Sequence, residues 1–577
     1  MKIFTSNPHH AGSALLYTMI SSAVGLTILA GALAWSGTSA KQTDRANGYT
    51  ASIAAAEAAT EIAISRISVD FLNGAENQVL ANIDSYRQSA PTAVTSPYWS
   101  NWQFSDGAGN SNSTFVQISS STNYVVLDSS YAGLKGFVTT CTLVSNARQP
   151  GVLNEVTGGV YQQLQLARIP IFQFAMYTSG DMEIGNGQPF VITGRVHSNG
   201  QLYVEPITNL TFQSDVSAVG DILFQRSPLD SRTPPYGVVT YMAGKYPHVN
   251  SLTLPIGMTN TPQAVREITQ PPPNGEDPNS PLGRERYYNQ VDLVLTANNT
   301  NFILTSGRFN NFGLTITNTQ AQLFINTTNS FWDAREEKTI KPIDINVGVL
   351  ALWSATNSDI RTLLGNRDVE SIYIWDLRNL PANQLGAVRV YNGRRLPALG
   401  LTVASASPLY VWGHYNQTND AYLGTTNTVS IPPASLVGDA LTVLSGNWTD
   451  ADSTLGVGSR VATPTTVNAG ILAGSVDTTA SAYSGGMENF PRFLETWGAN
   501  NTFTYNGSMV KMFPSLYANS PWGKANVYAP PARAWSYDHN FDFATRLPPL
   551  TPSLLRVNRS TWSTIAANQT NAPTPQL

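Results

Sequence analysis

Residues 13–35 form a run of twenty-three without a charge, and no charged residue lies between Lys2 and Lys41. At about 1.5 Å per residue, a helix of this length reaches roughly 35 Å, enough to cross a hydrocarbon core of about 30 Å. The polar stretch that follows keeps a helical period. Ile53, Ala56, Ala63, Ile67 and Phe71 fall on one face, within an arc of about 80°. The pattern predicts one long helix over 13–85, apolar all round in its first half and amphipathic in its second, with one face offered to a partner.

Beyond the helix the period changes from 3.6 to 2. Short alternating runs at 114–118, 124–127 and 137–144 predict a small sheet within 86–170, packed on the helix. From 171 to 225 two patterns repeat at a fixed interval of twenty residues. Gly180-Asp181-Met182-Glu183-Ile184 is answered at Gly200 and Gly220, and Phe190, Ile192 and Val196 are answered by Leu210, Phe212 and Val216. Such a register predicts a β-solenoid with two strands per coil, in which Ile192 stacks on Phe212 and Ile184 on Val204 and Phe224. A meander of hairpins is the alternative, but it explains the constant offset less well. His197, beside Ser198-Asn199-Gly200, reads as a turn residue capping a coil rather than a ligand. Prolines at 234, 235, 271–273, 278 and 281 mark 226–290 as a linker. Strands resume at 291–295, 302–305, 314–316 and 323–325, with one helix near 358–364. A looser repeat of about thirty residues over 291–515 predicts a second β-rich block, itself a candidate solenoid. The aromatic and proline-rich 516–577 is expected to cap an open strand edge and to end in a disordered tail. The fold class is therefore α+β, mainly β: a long N-terminal transmembrane helix followed by a β-rich head with parallel β-solenoid segments.

The leader closing on Gly12, the apolar run after it and the continuing helix through Ala54-Ala55-Ala56-Glu57-Ala58-Ala59 resemble the PilX-type N-terminus of minor pilins of type IV pili and type II secretion. The segment YTSGDMEIGNG…GRVHSNGQLYV likewise resembles β-helical stretches of large PilX-like proteins. The first resemblance covers about 80 residues. It implies that 1–12 is a prepilin leader, that a prepilin peptidase cuts between Gly12 and Ser13, and that the helix assembles with other pilins or pseudopilins in the cytoplasmic membrane. The fifth residue after that cut is Tyr17, where major pilins carry a glutamate; the K-type pseudopilins share this departure. Tyr17 and Glu57 are the residues it marks on the assembly helix. The leader has only Lys2 where such leaders are more basic. A cleaved secretory signal, with Thr38-Ser39-Ala40 as the cleavage site, and an uncleaved single-pass anchor remain alternatives. In the pilin reading the head is periplasmic or extracellular on a bacterial cell.

Composition narrows the remainder. Charged residues make up 12%, the net charge is −4, and the basic residues are scattered, a pattern that offers nothing to nucleic acid. The single cysteine, Cys141, excludes an intrachain disulfide and reads as a small buried hydrophobe. No HExxH, GxSxG, phosphate loop or CxxC occurs. The weaker candidates are Glu488 with Glu495 as a glycoside-cleaving pair, Asp538, His539 and Asp542 as metal donors, and Trp412, Trp448, Trp497 and Trp535 as sugar-stacking rings. The expectation is a non-enzymatic structural subunit with no cofactor, displayed at a fibre tip. Its second reading is a membrane-anchored β-helical adhesin or carbohydrate-active surface protein, for which a surface polysaccharide is a further partner.

Overall fold

A computed structural model describes residues 11–127, 133–151, 155–308, 321–567 and 569. Ala11–Ala81 is helical, with a break at Gly74 and at Ala75, whose φ is +54°. After the break the chain turns back through Ile83–Arg87, so the helix ends short of 85. The return is held by Asp70, which accepts hydrogen bonds from the Tyr86 hydroxyl at 2.5 Å and the Asn82 amide at 2.9 Å.

The second half of the helix lies on a five-stranded antiparallel sheet. Lys135–Arg148 and Thr157–Pro170 form the middle of this sheet, and Gln103–Ser105 and Phe115–Val126 pair with the former. The face that the sequence leaves for a partner is covered by the chain itself. Ala56, Ala63, Ile67 and Phe71 are fully buried, Phe71 and Ile67 against Cys141, Leu143 and Leu164. Gly158 allows the contact to be close, because a Cβ there would stand 2.7 Å from the Ile53 amide nitrogen. The last strand of the sheet comes from the other end of the chain. Ser553–Ile565 pairs antiparallel with Thr157–Pro170, so 516–577 does not simply cap an open strand edge.

From Phe174 to Tyr246 the strands pair in parallel. Phe190 pairs with Leu210 and Ile192 with Phe212, Val196 with Val216, and Ile184 with Val204, all at the twenty-residue offset. Each turn has three short strands rather than two, because Phe190–Ile192 and Arg195–Ser198 are separate. Gly194 lies between them, where a Cβ would stand 2.6 Å from Tyr537. Phe224 leaves the stack: the strand ends at Leu223, and the Phe224 ring is exposed. His197 is no turn residue, since it is fully buried within Arg195–Ser198.

The proline-rich 226–290 is part of the body and not a linker. Val239–Tyr241 and Lys245–Tyr246 add a further parallel rung on Leu210–Phe212 and Val216–Ala218. Leu252, Leu254, Val265, Ile268 and Tyr287 are buried in the main core. Arg286 is buried too, and it bonds Glu276 and Glu267.

In 291–515 two parallel faces stack. One runs through Leu293–Ala297, Ser371–Asp376, Leu401–Ser405, Ala434–Gly438, Thr465–Ser475 and Thr496–Pro514. Its last strand pairs Met509 with Met176, so the smaller and larger stacks share one twelve-stranded sheet. The other runs through Lys338–Asn346, Gln384–Tyr391, Leu409–Trp412, Leu441–Leu444 and Arg492–Phe493. Phe302–Thr305 turns antiparallel against Leu293–Ala297 and closes that end of the sheet. The helix predicted near 358–364 is Ser358–Leu363, capped by Asn357, and a second helix, Val347–Thr356, precedes it. The strand predicted at 314–316, leader residues 1–10 and most of the last dozen residues lie outside the described residues.

Candidate functional site

The stretch with the least cover from its own chain is the first half of the long helix. Leu15, Leu16, Met19, Leu26, Ile28, Leu33 and Trp35 are each more than half exposed, and no residue between 13 and 38 is buried. Isolated helices gain little from propensity alone, so a bare apolar helix points to a non-aqueous surrounding. Among the described residues it is the one helix long and apolar enough to cross a membrane. Thr18, Thr27 and Thr38 turn their hydroxyls back onto the carbonyls of Leu15, Ala23 and Ala34, so these three hydroxyls are satisfied within the helix.

Gly12 and Ser13 lie inside the helix, Ser13 exposed, and Tyr17 is 70% exposed. Glu57 sits forty residues further along, about 60 Å away at the helical rise, so the structure does not bring it to Tyr17. It is half-buried where the helix meets its sheet, near Arg559, whose guanidinium is raised by its hydrogen bond to Glu61 first and by the Glu57 charge last. Sequence reasoning missed the polar seam beside it. Gln162 donates to the Thr60 hydroxyl at 2.9 Å, and Arg559 forks onto Glu61 at 2.5 and 2.6 Å. Only the alternation of Leu555, Val557 and Arg559 in the last strand could have signalled it.

The helix divides sharply into these two environments. A charge at its bare centre is expected to weaken membrane insertion by about 2.5–3.5 kcal/mol, so Val24→Arg should move the protein from the membrane pellet into the soluble or aggregated fraction. Equal carbonate-resistant pelleting of Val24→Arg and wild type would contradict the assignment.

The other candidate residues are occupied by the fold. Glu488 accepts from the Gly185 N–H at 3.1 Å and the Tyr483 hydroxyl at 3.3 Å, and burial pushes its carboxyl up to about 7. Glu495 accepts from the N–H and hydroxyl of Ser445, both at 2.6 Å, and burial raises it as well. Asp538 caps the short 3₁₀ turn His539–Asp542 and accepts from Thr428 at 2.7 Å; within that turn His539 lies 3.1 Å from Asp542. Among the described residues no three His, Cys, Asp or Glu side chains are placed to hold a metal ion. Trp448, Trp497 and Trp535 are buried, and Trp412 lies under the Arg389 guanidinium at 4.9 Å. Cys141 is fully buried, and burial pushes its thiol up to about 12.

No family model matches the sequence, and no curated protein matches it. Among solved structures, the competence-associated pilin ComZ from Thermus thermophilus aligns over 98% of this chain and 99% of its own, at 10% identity and a TM-score of 0.29. A likeness that slight is no basis for assigning fold or role.

Proposed function

We propose that this protein is a pilin-like structural subunit. Its bare helix packs among apolar helices in the cytoplasmic membrane and in a fibre, and its β-rich head stands outside. One observation carries the reading: a long helix from Ala11 to the break at Gly74, bare in its first half and clamped on its own sheet in its second. Such a helix joins a head rigidly to an apolar surrounding. The resemblance of the N-terminus to PilX-type and K-type subunits supports the same reading, with prepilin peptidase as the processing partner.

The finer proposal is a place at the fibre tip. Tyr17 stands where a fibre-forming pilin carries the acid that offsets a neighbour's amine, and an unpaired charge in an apolar bundle is costly. A subunit without that acid suits a place where no neighbour's amine needs it. A compact head of about 490 residues has a diameter of roughly 60 Å, against about 10 Å for the helix. Heads that wide collide if every helix of a close-packed stalk carries one. Intact mass of membrane-extracted protein tests the processing. The expected chain begins at Ser13, Gly12→Val keeps the leader, and a chain beginning at Lys41 contradicts the pilin reading. Gold-tagged antibody against the head should mark fibre ends alone. Regular labelling along the shaft contradicts the tip.

A further inference from the structure

Where the smaller coil meets the larger stack, the surface opens into a groove of about 290 Å³. It is bounded by the turn at 178–183, by 475–478 and 484–490, and by the end of Thr496–Pro514. Its volume lies just below the range of small-molecule sites, about 300–1,000 Å³, which suits a single ring whose neighbours leave through the open mouth.

The lining has two parts. Leu229, which is exposed, and the half-buried Pro262 supply its apolar surface, while Met182 and Phe490 in the same lining are buried. Around them stands a rim of hydroxyl and carboxylate groups in which Glu183 is held fast. Thr478 and Ser484 both donate to its Oε2, at 2.6 and 2.5 Å, which fixes the carboxylate and leaves Oε1 outside that pair. Asp181 and Asp477 stand on the same rim, and Lys511 bonds Asp477 at 2.8 Å. Three carboxylates against one ammonium make the groove net negative.

A fixed carboxylate accepts hydrogen bonds from ring hydroxyls, serine and threonine hydroxyls both give and accept, and an apolar surface receives the C–H face of a sugar. An extended peptide would add instead to a strand edge, yet at the nearby edge the Gly185 N–H is already bonded to Glu488. We propose that this groove binds one residue of a neutral or amine-bearing saccharide and excludes acidic ones. The proposal stands on the groove alone and holds whether or not the chain assembles into fibres.

The test uses the full chain in a zwitterionic, non-glycosidic detergent, passed over immobilised glucosamine, glucose and galacturonate oligosaccharides. The expected result is retention on glucosamine at least as strong as on glucose, with no retention on galacturonate. Glu183→Gln keeps an oxygen for Thr478 and Ser484 but removes the charge. It should weaken retention by about tenfold with an unchanged melting temperature. Should that variant unfold, Asp477→Asn serves in its place. Equal retention on galacturonate, retention on none of the three, or wild-type binding by a folded Glu183→Gln overturns the proposal.

Discussion

Replacing Ile192 by aspartate is expected to destabilise the small coil by about 4 kcal/mol, because the charge enters a stack with no partner for it. Ile192 is 3% exposed and lies on Phe212, one rung away. Its neighbour Val191 belongs to the same strand but is 43% exposed. Val191→Asp should therefore change stability by no more than about 0.5 kcal/mol. Thermal melts of the two variants, with hydrogen exchange to localise the loss to 174–246, give the comparison. If both variants melt alike, the two faces of the strand are not as described.

The second large effect is on pH dependence, where two buried groups work in opposite directions. His197 sits between the Ser217 hydroxyl at 2.8 Å and the Asn199 carbonyl at 3.0 Å, and burial pulls its imidazole from 6.5 down to about 4. The folded state then holds fewer protons than the unfolded one, so this group adds stability as pH rises from about 4 to 6.5. Burial pushes Glu488 from 4.5 up to about 7, so the folded state holds more protons, and stability is lost as pH rises across that window. Each displacement corresponds to about 3 kcal/mol. Relative to wild type, His197→Gln should lose stability as pH rises from 4.5 to 6.5. Glu488→Gln should gain it over the same window. Denaturant melts at several pH values would show the two differences, and slopes of the same sign would refute the account.

Neither effect was equally legible in the sequence, and the reason is physical. Ile192 and Phe212 announce themselves because a parallel coil repeats its inward positions at a constant interval, which a linear chain displays directly. His197 reads as a turn residue because Ser198, Asn199 and Gly200 follow it; that the strand runs through His197 to Ser198 depends on Thr178 in the rung below. The prolines of 226–290 look like a linker locally, while its buried residues Leu252, Leu254 and Ile268 gain their meaning only from strands elsewhere. The long helix was readable in composition and period, but the identity of its partner was not, since Leu555 meets that core from the far end of the chain. The groove at Glu183 was invisible for the same reason, because Thr478 and Ser484 lie some three hundred positions away.

The pairing of Ser553–Ile565 with Thr157–Pro170 also sets an order of events during synthesis. Leu555 lies opposite Arg168, more than 380 positions earlier. Closing so long a loop is slow but adds little equilibrium cost per doubling of its length. The Leu555 contact with the helix core therefore forms after the coil and the larger stack have had time to form, whereas Cys141, Leu143 and Leu164 reach the helix earlier. A chain that stopped before Ser553 would carry its helix on a sheet lacking this strand and the Arg559–Glu61 pair. Pairing of that strand is thus a late step in building the sheet that holds the helix, and it joins residues made at opposite ends of synthesis into one support.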